Sequence, residues 1–178
     1  MIISLCGFMG CGKSSVGKIL SSMLSCRFED LDSCIERMAG KSIPEIFSEK
    51  GEAAFREMEK EALKGILSAS DGENIVLSLG GGTVTGPECA ELVRERTFCI
   101  YLKAGTDTLV GNLREDWASR PMLSRNGETP SDMLALRDRI EELMAARSAI
   151  YEGVASAVIS TDGKSFDDIA KEISGILH

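Results

Sequence analysis

The short apolar run Met1-Ile2-Ile3-Ser4-Leu5-Cys6 leads directly into Gly7-Phe8-Met9-Gly10-Cys11-Gly12-Lys13-Ser14. A helical pattern follows, with Val16, Ile19, Leu20, Met23 and Leu24 on one face. The middle stretch reads G-x-x-x-x-G-K-S. Between a strand and a helix, that is the pattern of a phosphate-binding loop. Its glycines free the backbone to aim several N–H groups at one anion. The helix N-terminus behind the loop adds partial positive charge. Lys13 supplies a point charge for β- and γ-phosphates, and the Ser14 hydroxyl suits Mg²⁺. The stretch demands strand, turn and helix in that order, and it implies a bound nucleoside triphosphate.

The rest of the chain repeats the alternation. Arg27-Phe28-Glu29 reads as a strand ending in Asp30-Leu31-Asp32, with helical signals from Ser33 to Met38 and a stop at Gly40. Ser42 and Glu45 form a capping-box signature. Gly51 breaks that helix, and a longer one is expected from about Glu52 to Ala69, burying Phe55, Met58, Ala62, Ile66 and Leu67. Asp71-Gly72 marks a turn before the strand Asn74–Leu79, which runs into Gly80-Gly81-Gly82. Thr85-Gly86-Pro87-Glu88 opens a helix, Thr97–Leu102 is a strand, and a helix carrying Leu109, Val110 and Leu113 follows. Residues from about Arg114 to Glu128 show no clean period. Thr129-Pro130-Ser131-Asp132 reads as a helix start with proline in the first helical position. That helix is expected to reach Tyr151, before a last strand at Val154–Ser160 and a final helix at Ser165–Leu177. Strands alternating with helices predict one α/β domain over residues 1–178, with a parallel sheet covered on both faces.

With 178 residues and no apolar run near the length of a membrane span, the chain is expected to form one soluble core. The opening residues leave no room for a secretion signal, and the six cysteines show no C-x-x-C spacing. Free thiols in a reducing cytoplasm are the expectation. The sole histidine is His178, which argues against histidine triads and histidine metal sites. A net charge of −8 disfavours nucleic acid and anionic membranes as partners. Positive charge for an anionic ligand must therefore be placed locally.

In open parallel sheets ligands bind beyond the carboxyl ends of the strands. Three strand ends here carry unusual residues: the phosphate loop, Asp30 with Asp32, and the triple glycine. Two residues apart on a strand, Asp30 and Asp32 would share a face. Near a nucleotide one carboxylate can hold a metal and the other accept a proton; alternatively, Asp32 is a helix N-cap and both complement a helix dipole. The glycines are either a tight turn or a backbone surface that a ligand approaches closely. Among the arginines, Arg56 lies beside the Phe55 stripe, Arg114, Arg120 and Arg125 on or beside the irregular stretch, and Arg147 late in the Pro130 helix. Arg120-Pro121 suits a lid that brings a cation to a transferring phosphate and excludes water.

These motifs, in this order and over nearly the whole chain, resemble the shikimate kinases. The resemblance is carried by the phosphate loop, Phe28-Glu29-Asp30-Leu31-Asp32, Gly40-Lys41-Ser42-Ile43, Gly51–Arg56 with Glu59, Leu77-Ser78-Leu79-Gly80-Gly81-Gly82, Arg120-Pro121-Met122-Leu123, and Arg147 with Tyr151. It implies a three-layer P-loop fold with a central five-stranded parallel sheet and a mobile lid at about residues 112–128. The implied activity is ATP-dependent phosphorylation of the shikimate 3-hydroxyl with Mg²⁺, by a monomer. It implies that Gly10, Cys11, Gly12, Lys13, Ser14 and Ser15 hold ATP, and that Ser14 and Asp30 hold the metal. Lys13, Asp32 and Arg120 become the catalytic set, with Asp32 also on the shikimate hydroxyls as the base. Arg56 and Arg147 clamp the shikimate carboxylate, Gly80, Gly81 and Gly82 line its ring, and Arg114 stacks on adenine, with the region of Thr161-Asp162 also near the base. Met122 stands where the family usually has Leu. Ala149 stands where it usually has Pro, so the late helix is expected to run straighter. The competing readings are another small-molecule P-loop kinase, such as a gluconate kinase, and a nucleotide-binding regulatory module without turnover. Nucleoside monophosphate kinases would need a second basic set for an acceptor phosphate.

Overall fold

In a computed structural model, which describes residues 1–70, 72–124 and 128–177 (Ser119 by its backbone only), five parallel strands form one sheet. The strands are β1 (Ile2–Cys6), β2 (Arg27–Asp30), β3 (Ile75–Ser78), β4 (Phe98–Lys103) and β5 (Ala157–Ser160), ordered β2-β3-β1-β4-β5. The helices are α1 (Lys13–Met23), α2 (Leu31–Ala39), α3 (Ile43–Ala69), α4 (Pro87–Arg96), α5 (Thr106–Leu113), α6 (Met133–Val154) and α7 (Phe166–Leu177). Short 3₁₀ turns occupy Thr83–Thr85, Trp117–Ser119 and Pro121–Leu123. The expected turn residue Asp71, the arginine Arg125 and the terminal His178 lie outside the described residues.

The order follows from the sequence of crossovers. From β1 the chain moves outward to β2, returns through β3, and then crosses β1 to reach β4 and β5. Right-handed crossovers in opposite directions put helices on opposite faces. Accordingly α1 packs against α7 on one face, while α4 packs with β4 and α6 on the other. Strand β1 lies at the centre with all five residues buried. Its neighbour β3 is buried throughout, and Cys99–Leu102 of β4 are fully covered. Such continuous apolar runs belong to strands covered on both faces.

Local chemistry sets the helix boundaries, and two differ from expectation. Asp30 and Asp32 do not share a strand face: β2 ends at Asp30, and Asp32 lies in the first turn of α2. Asp30, rather than Asp32, is the N-cap, its Oδ1 accepting from the Ser33 N–H at 3.1 Å. Once that carboxylate satisfies an otherwise unpaired helix N–H, the backbone turns helical at the next residue. Helix α6 begins at Met133, with Pro130 outside it. Asp132 caps it by accepting from the Ala135 N–H at 2.8 Å, while the Thr129 hydroxyl instead meets Ser124 Oγ at 3.4 Å. The capping box at Ser42 and Glu45 is present in both directions. Gly51 breaks α3 with φ 81°, ψ 174°, a conformation outside the helical region. Helix α6 runs unbroken past Ala149, so Arg147 stands on regular helix.

Leu20 of α1 is fully buried in the hydrophobic core. Leu20→Ala should destabilise the protein by about 3 kcal/mol, the usual cost of a leucine-sized cavity. The shift of the urea unfolding midpoint at unchanged slope measures it.

Candidate active site

The strand ends converge because the ladders are parallel and nearly level. Ser78 pairs in register with Leu5 on one side and with Asp30 on the other. Three carboxyl ends therefore meet on one rim, and two adjoining cavities open there. One, of about 360 Å³, is lined by Gly10, Gly12, Lys13, Ser14, Ser15 and Asp30 among others. The second, of about 330 Å³, is lined by Phe47, Phe55, Arg56, Glu59, Gly80, Gly82, Pro121 and Met122 among others. Met9, Asp32, Gly81 and Arg120 line both.

In the first cavity Lys13 is buried, and its Nζ donates to the carbonyls of Gly7 (2.8 Å) and Phe8 (2.9 Å). The ammonium is thus held at the loop by its own backbone. Ser14 Oγ donates to Asp30 Oδ2 at 2.5 Å and lies 3.3 Å from Ser78 Oγ. A hydroxyl pair with one carboxylate is a hard-oxygen donor set that fits Mg²⁺, an ion that keeps several waters and takes few protein ligands. No cluster of three or more His, Cys, Asp or Glu placed to hold a metal occurs among the described residues. Asn112 Nδ2 donates to the Gly10 carbonyl at 2.7 Å, and Phe166 completes the wall.

The second cavity is lined by both apolar and charged side chains. Arg56 Nη1 donates to Glu59 Oε2 at 2.7 Å, and its guanidinium carbon lies 5.3 Å from the Phe55 ring centroid. Glu59 is almost wholly buried and also accepts from Thr83 Oγ1 at 2.6 Å. A buried carboxylate with two donors fixes the guanidinium it holds. Gly82 makes room for it: a Cβ there would stand 2.4 Å from Arg56 Nη2, so any larger residue would push the guanidinium aside. Arg120 Nε and Nη2 donate to Asp116 Oδ2 at 3.2 and 2.7 Å.

At the junction, burial raises the Asp32 pKa to about 6, with the negative charge of Asp30 adding to it and Lys13 opposing. The side chain is therefore poised to exchange a proton near neutral pH.

Most of the expected residues meet here; Cys11, Arg114, Arg147 and the Thr161-Asp162 region line neither cavity. Cys11 is buried, its Sγ 3.9 Å from Lys13 Nζ. Arg114 is exposed at the C-terminus of α5. Arg147 is buried on α6, its guanidinium carbon 5.9 Å from the Phe8 ring centroid, and its Nη1 has no hydrogen-bond partner among the described residues. Asp162 accepts from the Gly105 N–H (2.9 Å) and Thr108 Oγ1 (2.6 Å), anchoring the start of α5. Four contributors were not assigned from the sequence. Glu59 had a signal, a charged residue inside the Phe55–Ala62 stripe and three residues from Arg56, where a helix brings side chains together. Ser78 stood in the motif that ends the third strand, whereas Asn112 and Phe166 had no signal, because packing brings them to the rim.

In the ligand-free protein the Asp32 carboxyl carbon should titrate with a midpoint near pH 6 by NMR. A midpoint near the ordinary aspartate value of about 3.9 would show a well-solvated carboxylate and no such poise.

Comparison with known proteins identifies the family. The model of the shikimate kinase family matches residues 9–177. The shikimate kinase of Geobacter metallireducens is 41% identical over 178 residues, spanning 99% of this chain and 91% of its own length. That of Chlorobium chlorochromatii is 38% identical over 173 residues, spanning 97% and 88%. Among solved structures, the shikimate kinase from Acinetobacter baumannii in complex with shikimate superposes with a TM-score of 0.88 at 30% identity, covering 99% of this chain and 92% of that one. The Aquifex aeolicus shikimate kinase gives 0.78 at 32% identity, covering 99% and 96%. By fold and by sequence over nearly its whole length, the chain belongs to the shikimate kinase family.

Proposed function

We propose a division of labour among these residues for the reaction that the family assignment supplies, transfer of the γ-phosphoryl group of ATP to the 3-hydroxyl of shikimate, a step of aromatic amino acid biosynthesis. The observation that carries it is the meeting of two cavities at Asp32 and Arg120. One cavity suits a polyphosphate and the other a small acidic ring, so donor and acceptor would face each other where those two side chains stand.

On this reading the amides of Gly10, Cys11, Gly12, Ser14 and Ser15 cradle the phosphates, and Lys13 turns from its backbone carbonyls to the β- and γ-phosphates. Asp32 accepts the proton of the attacking hydroxyl; its raised pKa narrows the gap to that task without leaving it protonated at pH 7. Arg120 leaves Asp116 for the γ-phosphate, where it balances developing charge. Arg56, held by Glu59, and Arg147, with its unpartnered Nη1, grip the acceptor carboxylate. Gly80, Gly81 and Gly82 form the flat wall under the ring. Ser14 and Asp30 would hold Mg²⁺, which when bound neutralises charge on the β- and γ-phosphates. The stretch from Asn112 to Glu128, carrying Arg120, acts as a lid that excludes water as a rival acceptor. Arg114 is assigned to the adenine face of the nucleotide. We place the enzyme in the cytoplasm as a monomer acting on two small molecules. The six free thiols suit a reducing compartment.

Shikimate-dependent release of ADP by the purified protein tests the reading, with gluconate and no acceptor as controls; absence of shikimate dependence would sink it. Asp32→Asn should lower turnover by ~10²-fold or more while ATP binding stays nearly intact, the scale of losing a general base. Unchanged turnover would reject Asp32 in that role. Arg56→Ala should chiefly raise the KM for shikimate, because a charge-assisted contact to the carboxylate is lost. An effect confined to ATP would contradict the assignment.

A further inference from the structure

The chain has two tyrosines, Tyr101 on β4 and Tyr151 on α6. Both are fully buried, with ring centroids 5.1 Å apart. Their hydroxyls differ. Tyr101 Oη has no hydrogen-bond partner among the described residues. Tyr151 Oη donates to the Gly81 carbonyl at 2.5 Å, a bond between residues 70 apart in sequence.

The acceptor of that bond stands out among its neighbours. The Gly80 carbonyl accepts from the Thr83 N–H at 3.2 Å, and the Gly82 carbonyl from the Thr85 N–H (3.1 Å) and hydroxyl (2.6 Å). Those bonds stay within the turn. The Gly81 carbonyl reaches out of it to α6. Burial raises the phenol pKa, so Tyr151 remains a donor throughout the working range. The glycine segment has no side chains of its own to hold it, which makes a backbone tether consequential. On one side the Arg56 guanidinium fills the space that a side chain at position 82 would take. On the other, Arg147 lies one helical turn before Tyr151 on the same face of α6. The bond thus joins α6, which carries Arg147, to the glycine turn that faces Arg56 of α3.

We propose that Tyr151 is a positioning residue for the acceptor. Its hydroxyl holds the Gly80–Gly82 segment at the separation from α6 at which Arg56 and Arg147 grip one carboxylate. The inference rests on the shikimate reading above for the identity of that carboxylate.

Two isosteric variants test it, Tyr151→Phe and, as a matched control, Tyr101→Phe, which deletes a buried hydroxyl that holds nothing. Hydrogen–deuterium exchange of the ligand-free proteins should quicken at residues 80–86 in Tyr151→Phe while β1 and β3 remain as in the wild type. Tyr101→Phe should match the wild type everywhere. In the same variant the KM for shikimate should rise by about fivefold or more, with the KM for ATP within about twofold, as expected for loss of one buried hydrogen bond acting on the acceptor side. Unchanged exchange at 80–86, quickening spread evenly over the strands, or equal rises in both KM values would overturn the proposal. Were the wild type to show no shikimate-dependent turnover, the functional reading would fall, and the exchange comparison would still decide for or against the tether.

Discussion

The parallel pairing of β1 with β3 and β4 is the constraint on which the site rests. Because the ladders start and stop nearly level, Leu5, Ser78 and Asp30 stand side by side. The phosphate loop, the triple glycine and the acidic turn then have nowhere to go but a common rim. Sheets of this kind place their ligands at the carboxyl edge, and the crossover around β1 opens the crevice there. The burial of β1 on both faces makes that edge rigid, so a loop with few side chains can still present its amides in a fixed array.

Charge is distributed against the trend of the molecule. A chain with a net charge of −8 must still receive anionic substrates. It does so by holding its cations with acids and backbone oxygens: Lys13 on the carbonyls of Gly7 and Phe8, Arg56 on Glu59, Arg120 on Asp116. Each cation is kept near its post by a partner that a substrate oxyanion can replace or join. Arg56 and Glu59 show the stronger version, since the carboxylate is nearly wholly buried and has a second donor in Thr83. Removing Arg56 would leave the buried Glu59 carboxylate without its cation. Arg120 and Asp116 are both about half exposed, and such a pair holds its members loosely.

The same economy appears in the acids. Asp30 serves as a helix cap and as the acceptor for Ser14, so its negative charge is compensated locally. Asp32, two residues on, is less well solvated and feels Asp30 as a like charge, which drives its pKa up. Environment therefore separates two neighbouring aspartates into different roles, one suited to a cation and one to a proton.

Sequence alone determined the alternation of strands and helices, the phosphate loop, the α/β class and most of the residues on the rim. Those features are local: a G-x-x-x-x-G-K-S turn, periodicities of two and 3.6, and caps written within four residues of each other. It misread the starts of α2 and α6, because Asp30 competes with Asp32, and Asp132 with Thr129, for the same capping task, and only the surrounding geometry chooses the winner. Tertiary structure decided the rest: that Ser78 comes beside Ser14, that Glu59 is buried under Arg56, that Tyr151 reaches Gly81, and that two cavities meet at Asp32 and Arg120. Such contacts join residues far apart in the chain. They depend on strand register and helix packing, which no short window of sequence encodes.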